Sequence, residues 1–248
     1  MMRALILVLI WTVGSAAQSA STGLFNEANA AYRSGNFAAA SSAYMQVVES
    51  GVKDARLFYN LANAHFKSGR LAEAILWYER ALQLSPRDDD IEANLRFAHQ
   101  VKKDRDPPPE GNAVSVFLAD LFFLPTLSEL SLLFALGWMG LFALASWRLW
   151  TGHATSLLIA GLVLCGGGAA VGGGWLATRA YQQAHDVSAI AMAEVVTAYS
   201  GPDSAQTEVF VMHEGTKVRV VRREGEWALV RLLNGLGGWV QAEQIEEI

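Results

Sequence analysis

The chain has 248 residues, 52% hydrophobic and 17% charged. Its mean hydropathy of +0.22 excludes intrinsic disorder and a highly charged coiled coil. A net charge of −5 argues against a nucleic-acid binder that neutralises phosphates. The single cysteine, Cys165, permits neither an intramolecular disulfide nor a multi-cysteine metal site.

Residues 1–17 read as a secretory signal peptide. Arg3 supplies the positive charge, 4–13 the apolar stretch, and Ser15-Ala16-Ala17 a small-residue cleavage site. An uncleaved anchor is the alternative, and both readings export the residues C-terminal to it.

From 21 to 103 the chain repeats with a period of 34. Asn26, Ala28, Asn29, Ala30, Ser34, Gly35, Ala38, Ala40 and Tyr44 recur as Asn60, Ala62, Asn63, Ala64, Ser68, Gly69, Ala72, Ala74 and Tyr78. The alanines are small where paired helices cross, the glycines fit the turn between helices, and the tyrosines fill gaps. A capping helix follows Pro86, with Asn94-Leu95 aligned on Asn60-Leu61. The pattern resembles the tetratricopeptide repeat (TPR), in about two and a half copies. By that resemblance, Asn26, Asn29, Asn60, Asn63 and Asn94 are candidates for a concave partner groove; the alternative is structural hydrogen bonding. Some TPR domains clamp a terminal carboxylate with added lysine or arginine, but Phe25, Ala93 and Phe97 stand at those places here. His65 and His99, also 34 apart, lack a third metal ligand.

Residues 104–112 hold Pro107, Pro108 and Pro109 and read as a stiff linker. Residues 113–125 form a candidate interfacial segment, with a partly inserted extension of the next span as the rival reading. Two long apolar runs then predict transmembrane helices over 126–150 and 154–178. Gly168 and Gly172 make a small-xxx-small match, read as packing within the hairpin or as self-association. An exported N-terminus and two crossings put both ends outside the cytoplasmic membrane, on the periplasmic side.

Residues 186–248 change to short alternating strands, with a hairpin signal at Asn234-Gly235. The segments Gly215-Thr216-Lys217-Val218 and Gly238-Trp239-Val240, with Trp227, resemble a bacterial SH3-like (SH3b) barrel. Ten acidic and five basic residues leave no cationic face for anionic polymers. Some SH3b domains bind cell-wall peptides, and Tyr199, Trp227 and Trp239 are the aromatic candidates. The competing reading makes the tryptophans barrel core.

The fold class expected is thus a multidomain membrane protein: α-helical TPR hairpins, two transmembrane helices and a C-terminal all-β SH3-like barrel. That order of parts, with Phe-Asn-Glu-Ala-Asn-Ala-Ala-Tyr (25–32) and Val-Met-His-Glu-Gly-Thr-Lys-Val (211–218), resembles the BatE-type TPR protein of the Bat (Bacteroides aerotolerance) group. The resemblance implies von Willebrand factor A-domain membrane proteins and a MoxR-type AAA+ ATPase as partners, and a role in envelope or oxidative-stress tolerance. No phosphate-binding loop, zinc-protease helix or nucleophile elbow is present in the sequence. A non-enzymatic scaffold without cofactor, catalytic or metal residues is therefore expected, with a peptidoglycan binder or sensor acting through the SH3b domain as the alternative.

Overall fold

The computed structural model describes residues 21–105, 112–153 and 155–248. The segment read as a signal, 1–17, and most of the proline linker lie outside them. The chain divides into two units, one formed by residues up to 107 together with 187–248, the other by 108–186.

The first unit opens with helix α1 (21–33), followed by α2 (Phe37–Glu49), α3 (Ala55–Lys67), α4 (Leu71–Leu84) and α5 (Asp89–Val101). Ala28, Ala40, Ala62 and Ala74, the small residues of the repeat, are all 0% exposed. A larger side chain at any of them would overpack the crossing. Gly35 and Gly69 turn the chain with φ of +79° and +77°, a conformation that glycine adopts without strain. Asn36, Asp54 and Asp88 cap the helices after them by accepting from backbone N–H groups.

Among the described residues, seven strands complete this unit: β1 (Ser188–Ala191), β2 (Val195–Tyr199), β3 (Glu208–His213), β4 (Lys217–Glu224), β5 (Trp227–Arg231), β6 (Gly237–Gln241) and β7 (Ile245–Glu247). They make one antiparallel sheet in the order β3-β2-β6-β5-β4-β1-β7. Small side chains line its core, Ala189, Ala198 and Ala228 among them, because a barrel this narrow has little interior volume.

The barrel is packed onto the helices. Ile190 of β1 is buried in the helical core, and Met192 and Ile248 pack against the same cluster. Gly215, at φ +78°, passes so close to α4 that an added Cβ would lie 2.6 Å from Ile75 Cδ1. Around this contact, Glu79 pairs with Lys217 at 2.9 Å, and Arg80 bonds Glu246 at 2.9 Å and the Glu247 carbonyl. Asp104, just after α5, accepts from the His213 backbone N–H at 2.7 Å, from His213 Nδ1 at 2.8 Å and from the Thr216 hydroxyl at 2.8 Å. A carboxylate only accepts, so Nδ1 carries the proton in this bond. Burial pushes the Asp104 carboxyl up, but the bonds from His213 and Thr216 outweigh it and hold it below its ordinary range.

The second unit contains α6 (Ala113–Phe123), α7 (Leu127–Thr151) and α8 (Ser156–His185). A capping box starts α7: Glu129 N–H donates to Thr126 Oγ1, and Thr126 N–H to the Glu129 carboxylate. Gly152 in the left-handed conformation ends it. At about 1.5 Å per residue, α7 and α8 each exceed the ~30 Å of a bilayer core, and both are apolar enough to cross a membrane. The second helix continues to His185, past the span expected at 154–178.

The two helices pack through glycines and small residues, though not through the expected pair. Gly173 receives the Phe134 ring, Gly140 faces Cys165 Sγ, and Gly137 faces Ala169, while a Cβ added at Gly168 or Gly172 would meet nothing within 4 Å. The helical phase explains this: Ala169 and Gly173, one residue further along, point at α7.

His65 yields a pH prediction. It is 4% exposed, and neither ring nitrogen has a hydrogen-bond partner among the described residues. Burial, with Arg70 adding to it, lowers its pKa from 6.5 to about 4. The folded state therefore keeps the imidazole neutral while the unfolded chain takes up a proton below pH ~6.5. Stability should be intact above that pH and fall as pH drops toward 4, by about 3 kcal/mol from this residue. Thermal unfolding of the detergent-solubilised chain at pH 7.5 and 4.5 checks it: the acid-side loss should be smaller in His65→Leu than in wild type.

Candidate functional site

The repeat array presents its asparagines in two ways. In each repeat a tyrosine on the second helix bonds the asparagine 15 residues earlier: Tyr44 OH donates to Asn29 Oδ1 at 2.7 Å, and Tyr78 OH to Asn63 Oδ1. Asn94 on α5 extends the pattern, donating to Tyr59 OH at 2.7 Å and to Asn63 Oδ1 at 3.3 Å. Burial pushes the Tyr44 hydroxyl up to about 12 and raises Tyr78 as well, so both remain donors at physiological pH. Asn29, Asn63 and Asn94 thus spend hydrogen-bonding capacity on holding helices together. Asn26 is exposed and Asn60 half-buried, and neither takes part in that ladder.

Asn60 lines an open cavity of about 780 Å³ between α1, α3 and the turn before α3. Phe25, Val47, Val52, Leu57 and Tyr59 form its apolar wall, with Asp54 and Arg56 beside them. Arg56 lies 3.8 Å from the Asp54 carboxylate that caps α3, so its charge is partly engaged. Val47 and Val52 were not singled out by the sequence pattern. Val52 follows Gly51 outside any helix, and only the fold brings it to the asparagine face. Among the clamp positions, Phe97 is 52% exposed and its ring lies 5.6 Å from Phe66, leaving an apolar surface where a clamp would carry cations.

On the barrel, the three aromatic candidates form one neighbourhood. Tyr199 and Trp227 meet edge to face at 5.9 Å, and Tyr199 pairs with Trp239 across β2 and β6. Trp239 is 7% exposed with the Arg222 guanidinium 5.0 Å above its ring, so it is closed to a ligand in this arrangement. Trp227 is half-buried and borders a cleft of about 570 Å³ with Pro202, Asp203, Glu226 and Glu243. Such a cleft pairs an indole with negative charge, which suits a cationic group. Among the described residues, no group of three or more histidine, cysteine or acidic side chains is placed to hold a metal ion.

Comparison with known proteins agrees with this division. Residues 25–89 match the tetratricopeptide repeat family, and residues 194–246 match the bacterial SH3 domain. Both are binding modules by type. No curated protein matches the chain. Among solved structures, one similar chain is the structure of NlpC1 from Trichomonas vaginalis, at 22% identity and a TM-score of 0.22. That similarity covers 25% of this chain and 23% of the other, and it carries no argument about fold or activity.

The two classes of asparagine are separable by experiment. Asn63→Ala strands the hydroxyl of Tyr78, a residue 2% exposed, and should cost about 1–3 kcal/mol of stability. Asn60→Ala should stay within about 0.5 kcal/mol of wild type. Thermal unfolding of both variants of the full chain makes the comparison.

Proposed function

We propose that this chain is a non-catalytic, membrane-anchored scaffold whose repeat groove holds an internal, extended, apolar segment of a partner protein. The observation that carries the reading is the open apolar cavity beside Asn60, with a spare amide at its edge and no basic pair to seize a terminal carboxylate. The resemblance to the BatE type suggests the setting: a Bat-like complex in the envelope that contributes to oxidative-stress tolerance, with von Willebrand factor A-domain membrane proteins and a MoxR-type ATPase as partners. A second reading is favoured by the acidic cleft at Trp227, which would accept the free amine of a peptidoglycan stem peptide.

Partner capture from detergent-solubilised membranes separates the two. Retention of von Willebrand-type proteins supports the scaffold, and retention on purified peptidoglycan that is lost in Trp227→Ala supports the second reading. Within the scaffold reading, Asn26→Ala combined with Asn60→Ala should weaken capture about tenfold or more, since a lost bond in a desolvated groove costs ~1–3 kcal/mol. A partner extended by several residues at its C-terminus should be captured as well as the natural one. If the extension abolishes capture, the groove reads a free carboxylate and the proposal fails.

The same reading assigns a topology. The helices and the barrel belong to one folded unit, and the hairpin lies between them in sequence, so it crosses the membrane an even number of times. With a secretory signal at 1–17, that unit is extracytoplasmic and the connection between α7 and α8 is inside. Phosphatase fusions after Arg105 and Ile248 should be active and one after Thr151 inactive. An inactive fusion after Ile248 alone would sink the topology.

A further inference from the structure

We propose that α6 is a membrane element in its own right: an in-plane helix embedded in one leaflet and clamped beside the hairpin by Trp175 and Arg179. This rests on the reading that α7 and α8 span a bilayer. With 11 residues, α6 is about 16 Å long, half of what a crossing needs. At about 100° per residue, Val114, Phe117, Leu118, Leu121 and Phe122 fall within one arc about 140° wide. Ser115, Ala119 and Asp120 share the other half with Val116 and Phe123, so Asp120 is the single charge on a helix that is apolar nearly all round. Val114, Phe117, Leu118 and Leu121 are 49–66% exposed, a surface left largely open by the described residues.

The end of α6 is fixed to α8. The Phe122 carbonyl accepts from Trp175 Nε1 at 3.2 Å and from Arg179 Nη1 at 3.0 Å. Arg179 also donates to the Pro125 carbonyl at 3.3 Å. The Phe122 ring stacks on Trp175 at 5.7 Å, and the guanidinium sits 4.6 Å above Phe123. Side chains thus satisfy carbonyls at the end of α6 that water would otherwise satisfy, and a cation stands where the helix dipole favours one.

The depth of this corner follows from counting along α8. Trp175 lies about 29 Å and Arg179 about 35 Å beyond Ser156, against a hydrocarbon core of ~30 Å. The clamp therefore lies at the far interface, where tryptophan and arginine are at home. A helix pinned at that depth with a broad apolar arc reaches lipid, and Leu132 and Leu133 at the start of α7 are exposed as well. Its Ser115–Asp120 side then meets the headgroup region, with Phe123 on that side covered by the Arg179 guanidinium. The occupant of the apolar arc is the acyl region of the bilayer, and the helix sets where the chain leaves the membrane for the proline linker.

The test uses the full chain in liposomes of phosphatidylcholine and phosphatidylglycerol. In a Cys165→Ser background, an environment-sensitive fluorophore is attached at Leu118→Cys, at Ser115→Cys, or at Leu164→Cys within α8. Lipids carrying a nitroxide shallow or deep on the acyl chain, and aqueous iodide, are the quenchers. The Leu118 probe should be quenched several-fold more by the shallow nitroxide than by the deep one and be shielded from iodide, with the Ser115 probe open to iodide. Arg179→Ala should erase the shallow preference and Arg179→Lys should restore part of it. Iodide quenching at Leu118 would place α6 in water, preference for the deep nitroxide would make it inserted, and shielding from all quenchers would mean that a second copy covers it. Each of these overturns the proposal. The Leu164 probe isolates its premise: if the deep nitroxide fails to quench there, the spanning reading itself has failed.

Discussion

The Asp104 carboxylate joins parts of the chain 109 and 112 residues apart, with three donors from the 213–216 corner of the barrel converging on it. That closure helps hold the helical array and the barrel together as one unit. The barrel packs against α4 of the helical array: Ile190 enters the helical core, and the turn at Gly215 lies against Ile75. The ionic contacts from Glu79 and Arg80 ring an apolar centre. Packing supplies the attraction here, while the charges fix how the two surfaces align.

This arrangement ties the repeat array and the barrel into one mechanical body, although the whole hairpin is inserted between them in sequence. The unit is built from chain on both flanks of the apolar hairpin. A partner held on the asparagine face and a ligand held at Trp227 would therefore act on a single folded object.

Much of the fold was legible because it is written in local periodicity. The alanines of the 34-residue repeat, the turn glycines and Asn234-Gly235 each impose their geometry within a few residues, and the structure has helices, turns and strands at those places. Long-range contacts leave no such trace. Asp104 looked like the first residue of a linker, and nothing near it in sequence announces His213 or Thr216. The register within the hairpin was also hidden, since Gly168–Gly172 and Ala169–Gly173 are equally small and only the helical phase separates them. At the candidate groove, the five asparagines read alike in sequence. A signal did exist, because Asn29 and Tyr44 recur together as Asn63 and Tyr78 at the same spacing of 15. A polar pair that repeats as a unit marks a bond between two helices, whereas Asn26 and Asn60 recur without such a companion.

The backbone bond from His213 to Asp104 has a consequence for solubility. Strand β3 is an edge of the sheet, paired only with β2, and Val209 and Val211 are 45% and 46% exposed. Edges of this kind recruit strands from other chains, because their free N–H groups are templates for pairing. At His213 the donor is already taken by a carboxylate from the helical array. An incoming strand would have to evict Asp104 and introduce its own backbone beside a partly buried negative charge, so the array guards that end of the barrel against runaway sheet extension.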